Sequence, residues 1–197
     1  MVVTFLPYAD IERSLLTLDK RRLGKQRVEA GQIIKAINKE TKGWVNHPAS
    51  KMWEGYEFLL KHYYNESLRI WELRGGKNKL SQPITLTEEE QSKLDSGAKP
   101  WWWGFEPLHE SHKAALVRKD DVYYQGLLPE DSPYLKLGYV WPHKHDSSTP
   151  FTKLFEEINP RQLLPKCTHP GCRNPIKVNE FCGVHARKYL KNSVKEI

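Results

Sequence analysis

Three thiols and an imidazole stand close together near the end of the 197-residue chain, in the order Cys167-x4-Cys172-x9-Cys182-x2-His185. Two donor pairs across a nine-residue span, with Gly171, Pro175 and Gly183 near the turns, form the pattern of a tetrahedral zinc site. His169 competes for the fourth place, but a ligand two residues after Cys167 makes an awkward chelate. Four protein ligands close the shell, so one Zn2+ per chain would fold this tail and leave chemistry to another part of the protein. Lys166, Arg173, Lys177, Arg187 and Lys188 would give the module a basic surface suited to DNA phosphates.

A second concentration of reactive side chains lies between Leu18 and Pro48, where Arg22, Lys25 and Arg27 precede Glu29 and the stretch ends in Asn46-His47-Pro48. At about 100° per residue, Leu23, Ala30, Ile34 and Ile37 centre an apolar helical stripe and Glu29 falls on its rim, beside Arg22 and Gln26. A carboxylate there can shuttle protons or stabilise a developing cation, but a rim glutamate is ordinarily just solvated, and spacing leaves both readings open. Asn46 or His47 caps the helix that Pro48 begins, and His47 could instead donate to a phosphate or base. His109, His112 and Lys113 share one helical face and could line a DNA groove. Two histidines at this spacing can also hold a metal, without the HExxH arrangement of a catalytic zinc. Arg118 and Lys119 fit phosphate contacts as well as they fit a solvated basic face. Trp101-Trp102-Trp103 cannot all be buried on one side of a regular element, so one is expected to be exposed or to fill a groove. Trp102 is the candidate for stacking an extruded base, against a strong competing account in core packing.

The overall charge agrees with a polyanionic partner. Lys plus Arg exceed Asp plus Glu by 31 to 24, giving +7 and a pI near 9.2, and 7 Trp, 9 Tyr and 6 Phe are interleaved with that charge. No run approaches the roughly 18 apolar residues of a membrane span, and MVVTFLPYADIER lacks the basic and apolar regions of a signal peptide. A monomeric cytoplasmic protein, nucleoid-associated when bound to DNA, is the expectation. Three cysteines in one local cluster argue for metal over a disulfide framework.

The elements that must position these residues are mostly helices. The spacing predicts one long helix near 10–38, or two with a bend near Gly24, then an aromatic-rich helix over 48–74 stopped by Gly75-Gly76. A surface excursion follows over 76–100, with a short capped helix at Thr87-Glu88-Glu89-Glu90, and another helix starts at Pro107. Asp120-Asp121 are placed to cap a further short helix, and Phe151–Ile158 reads as a short docking helix after a polar linker. Apolar residues 1–8 are expected to pack against the body. The resulting organisation is mainly α: a helical domain over 1–145, a linker and docking helix over 146–165, and a Cys3His module over 166–197.

In Arg27-Val28-Glu29, in Gly43-Trp44-Val45-Asn46-His47-Pro48, and in the long aromatic helix ending at Arg74-Gly75-Gly76, the chain resembles the pyrimidine-dimer DNA glycosylase family. It is also similar to bacterial proteins of that broad group in Thr4-Phe5-Leu6-Pro7-Tyr8, Arg22 to Glu29, His109 to Asp120 and Tyr139 to Pro142. The resemblance implies a compact helical enzyme whose amino-terminal α-amine attacks C1′ of a damaged nucleotide, forms a Schiff base and cuts the strand by β-elimination. Glu29 would be its carboxylate, and the amine of Val2, or of Met1 if retained, its nucleophile. An α-amine suits the task, since its ordinary pKa of roughly 7.7–8.0 leaves an appreciable neutral fraction. The chain departs from the characterised enzymes in lacking their amino-terminal Thr and in carrying Val28 where they have an Arg before the Glu. Two functions are therefore expected to compete. One is a glycosylase with lyase activity on a damaged or modified pyrimidine in duplex DNA. The other is a catalytically silent, zinc-containing nucleic-acid-binding protein on the same scaffold.

Overall fold

A computed structural model of the chain describes residues 3–79 and 81–142 and the backbone of 151–152. The chain divides into two units, Met1–Phe155 and Glu156–Ile197, and all described residues belong to the first. The expected linker and Cys3His module lie outside the described residues.

Among the described residues the architecture is mainly α, as expected. Six helices follow in order: α1 (Ile11–Thr17), α2 (Lys20–Ile37), α3 (Pro48–Lys51), α4 (Glu57–Leu73), α5 (Glu88–Asp95) and α6 (Glu106–Val117). A 3-10 turn covers Pro133–Lys136, and β1 (Trp141–Pro142) pairs antiparallel with β2 (Phe151–Thr152). The start of the expected docking helix is thus strand, in register Trp141 with Thr152 and Pro142 with Phe151. The residue before a proline favours extended backbone, which Trp141 supplies to that pairing. No helix among the described residues is long and apolar enough to cross a membrane.

The break in the first helical region falls at Leu18–Asp19 instead of Gly24. Leu18 is extended, and the Asp19 carboxylate accepts from the Arg21 and Arg22 amides, so a new N-cap starts α2 there. Gly24 and Gly31 lie inside a continuous helix for a packing reason. A Cβ at Gly24 would stand 3.2 Å from the Trp71 ring, and one at Gly31 would stand 3.3 Å from Tyr64. Both glycines are seven residues apart, as are their partners in reverse order, so α2 and α4 lie antiparallel and approach closely along this seam.

The expected helix over 48–74 is divided. Pro48 begins α3, but Gly55 takes a φ of +85° and the chain turns before Tyr56 leads into α4. The aromatic face is retained, with Trp53 and Tyr63 fully buried. Thr87 and Glu90 make the expected capping box of α5. After α6, Asp120 and Asp121 open a series of turns where a short helix was expected; the Asp120 carboxylate accepts from the Tyr123 amide and Gly126 has a φ of +76°. Residues 3–7 are buried, as the expectation for the amino terminus required.

Gly76 folds the chain back onto Trp71, where a Cβ would come within 2.2 Å of the indole. Gly76→Ala should therefore lower stability by about 1–3 kcal/mol through overpacking, read as a shifted urea midpoint. An unchanged midpoint would remove the close contact from the account.

Candidate active site

The site is built around an amino-terminal segment tied down at successive peptides. The Phe5 N–H donates to Gln26 Oε1 at 2.9 Å, and the Tyr63 hydroxyl lies 2.6 Å from the same oxygen and 3.0 Å from the Phe5 carbonyl. An oxygen must face the Phe5 N–H, so the Gln26 amide nitrogen points the other way, to Glu29 Oε2 at 3.4 Å. The Trp53 indole N–H donates to Thr4 Oγ1 at 2.9 Å. At Leu6, the N–H donates to His112 Nδ1 at 2.8 Å, and His109 Nδ1 lies 2.8 Å from the carbonyl. These partners assign the tautomers: His112 is bare at Nδ1, and His109 carries its proton there.

Glu29 stands where this segment ends. Its Oε2 accepts from the Val3 N–H at 3.4 Å, and the carboxylate is half-buried. Burial raises its pKa, against the opposing pull of the Val3 amide, Lys25, the chain's amino-terminal charge and Lys119. A carboxylate so desolvated is suited to carry a proton as well as to face a cation. Tyr139, whose hydroxyl is pushed upward by burial, also feels the Glu29 charge.

A ladder of rings forms one wall. His47 lies edge-on to Trp44 at 5.3 Å and to Trp141 at 6.0 Å, and Trp141 lies 5.3 Å from Tyr139 and 6.1 Å from His112. His47 also caps α3, its Nδ1 accepting from the Ala49 amide at 3.1 Å. Burial, then the amino-terminal charge, lowers its pKa.

The other predicted residues divide between fold and surface. Arg22 bridges Asp19 at 2.7 Å and Asp120 at 3.3 Å and donates to the Lys119 carbonyl, so it joins α2 to the end of α6. Arg27 lies over Trp71 at 4.4 Å and donates to Asn78 at 2.6 Å. Lys113 pairs with Glu110 at 2.6 Å, and Arg118 donates to the Tyr134 and Leu135 carbonyls. Lys25 and Lys119 are exposed, and both act on Glu29 through their charge. Trp102 is 1% exposed and donates to the Met52 carbonyl, so it offers no face to a base. His109 and His112 commit their Nδ1 atoms to Leu6, and no group of three metal-binding side chains occurs among the described residues. Met1 and Val2, and Cys167, Cys172, Cys182 and His185, lie outside the described residues.

Gln26 and Tyr63 as anchors, and Tyr139 and Trp44 as walls, emerge only from the structure. Gln26 was legible as a polar residue on the edge of an apolar stripe. Trp44 was legible as a large aromatic isolated in a polar loop.

Of these side chains, Gln26, Glu29, Trp44, His47 and Tyr63 fall within one matched stretch. Residues 2–82 match the family model of pyrimidine dimer DNA glycosylase. No curated protein and no solved structure matches the chain. The glycosylase match therefore covers Glu29 and the segment packed on it, while His109, His112, Lys119 and Tyr139 lie beyond it.

Fully buried His112 has its pKa lowered by burial from 6.5 to about 3. The unfolded chain binds the extra proton between those values, so stability is full above about pH 6.5 and falls as pH drops, by up to about 1.4 kcal/mol per unit from this group. His112→Asn keeps an acceptor near Nδ1 but cannot titrate. Urea midpoints at pH 7 and pH 5 should differ more for the natural protein than for this variant, and equal differences would contradict the assignment.

Proposed function

We propose that the protein is a DNA glycosylase with associated lyase activity, acting on a damaged or modified pyrimidine in duplex DNA through its amino-terminal amine. The observation that carries this reading is the contact of the Val3 N–H with Glu29. Covalent geometry holds the nitrogen of the preceding residue within about 3.8 Å of the Val3 nitrogen, whatever its conformation. An α-amine at Val2 would therefore be tethered close to a desolvated carboxylate. The amine would attack C1′ of the sugar as the base leaves with its bonding electrons, giving an aminal. Loss of a proton from the nitrogen and cleavage of the C1′–O4′ bond, with a proton delivered to O4′, would then open the sugar ring to an iminium. Glu29 would stabilise the positive charge that develops at the sugar and shuttle the protons of iminium formation and β-elimination. Lys25 and Lys119, whose charges both reach Glu29, would supply positive charge for the DNA phosphates. Such an enzyme would work as a monomer in the cytoplasm, where the DNA is.

One observation favours the silent-binder alternative. Val28 is 51% exposed at the position where the characterised enzymes carry an Arg, and Arg27 is turned away onto Trp71. Borohydride trapping decides between the two. On abasic or dimer-containing duplex the enzyme reading expects a covalent adduct, lost when the amine is blocked and reduced at least about 100-fold by Glu29→Gln. Salt-sensitive binding with no adduct would establish the alternative.

For the tail, the proposal is one structural Zn2+ held by Cys167, Cys172, Cys182 and His185. The fit rests on the chemistry of the donor set, three thiolates and an imidazole, which suits zinc at a closed site. Metal analysis should find one zinc per chain, and a chelator should open residues after about 165 to protease while sparing the helical domain. A metal-free protein whose tail resists protease equally with and without chelator would overturn the assignment.

A further inference from the structure

Among the described residues, two outside glycine have left-handed backbone, Lys39 at φ +59° and Trp44 at φ +65°. Lys39 has an ordinary reason: it follows the last turn of α2, its N–H bonds the Ala36 carbonyl, and the Glu40 N–H bonds the Lys35 carbonyl, as a helix stop requires. Trp44 terminates no helix. Its carbonyl closes a turn with the His47 N–H at 3.0 Å, a turn a glycine would make without strain, and Gly43 is adjacent but does not occupy the strained position. A bulky aromatic kept where glycine fits better indicates a task for the ring.

The ring is 40% exposed and is set edge-on to His47, the first step of the ladder that leads through Trp141 to Tyr139, which feels the charge of Glu29. Lys42 precedes it by two residues, and the exposed Lys25 acts on the same carboxylate. An exposed aromatic face with positive charge nearby in the chain, joined through this ladder to the side of the candidate carboxylate, suits an unstacked nucleobase. Resting on the glycosylase reading for the location of the chemistry, we propose that Trp44 is the residue that stacks on a base exposed when the duplex opens at Glu29. Its effect is on which DNA is held, and it takes part in no covalent step.

The test separates stacking from chemistry. Fluorescence anisotropy compares binding of the full-length protein to a duplex with one tetrahydrofuran abasic site, which leaves unstacked bases but cannot form an iminium, and to the intact duplex. The natural protein should prefer the abasic duplex. Trp44→Ala should lose about 5- to 150-fold of affinity for it, with less than about a twofold change for the intact duplex. Trp44→Phe should stay within about threefold of the natural protein. Trp44→Gly, which relieves the left-handed strain, should lose the preference while keeping the urea midpoint, so loss by misfolding is told apart from loss of the ring. No preference in the natural protein, a preference retained by Trp44→Ala, or equal loss on both duplexes would overturn the assignment. Borohydride trapping on a natural abasic site is scored independently: an absent adduct alongside the expected binding pattern sinks the glycosylase reading and upholds the stacking residue.

Discussion

Everything at the candidate site depends on the peptide of Leu6. Its N–H and carbonyl are both taken by histidines one turn apart on α6, His112 and His109, at 2.8 Å each. A buried peptide with no partner would cost about 1–3 kcal/mol per group, so these rings let an extended segment run through the interior without a sheet to pair it. The Phe5 bond to Gln26 and the Thr4 bond to Trp53 continue the arrangement on α2 and on the turn before α4. Three parts of the fold thereby agree on one position for residues 4–6, and Val3 is delivered to Glu29 as a consequence.

The tautomers make this arrangement sensitive to charge. His112 can accept from Leu6 only while Nδ1 is bare, and its burial holds it neutral. Glu29 is shifted upward by burial, although four positive or donating groups act against that shift. Both groups therefore have their charged forms disfavoured, and they sit on opposite sides of the same short segment. For Glu29 the sign is the reverse of that for His112: its contribution to stability is present at low pH and declines as pH rises through its elevated pKa. Ionising this carboxylate therefore costs the fold some stability, as desolvation of a charge requires.

Periodicity made the helical class, the capping box at Thr87, a cap at Asn46 or His47 and the buried amino terminus legible, because each follows from local spacing or local hydrogen-bond chemistry. It failed where a partner far along the chain decides the outcome. Gly24 read as a weak point and is in fact the place where Trp71 approaches α2. His109 and His112 read as a groove lining because their spacing is helical, and nothing local announces that the Leu6 peptide lies between them. For Trp102 the run of three tryptophans left base stacking and core packing open, and the core decides it: its indole packs against Trp53 and is bonded to Met52. Glu29 was legible as a position but its environment was not, since that depends on a segment 26 residues away. The family match over residues 2–82 reaches the carboxylate and stops short of the histidines that fix the segment on it.

The central claim is that the start of the chain is an interior element held by side chains from three helices and the turn before α4. Amide hydrogen exchange at Phe5 and Leu6 tests it without reference to catalysis. If Gln26 and His112 accept those two N–H groups as described, both amides should exchange only through global or near-global opening, alongside the slowest amides of α2 and α4. Exchange at the rate of a frayed terminus would show that the segment is not held, and the contact of Val3 with Glu29 would fall with it.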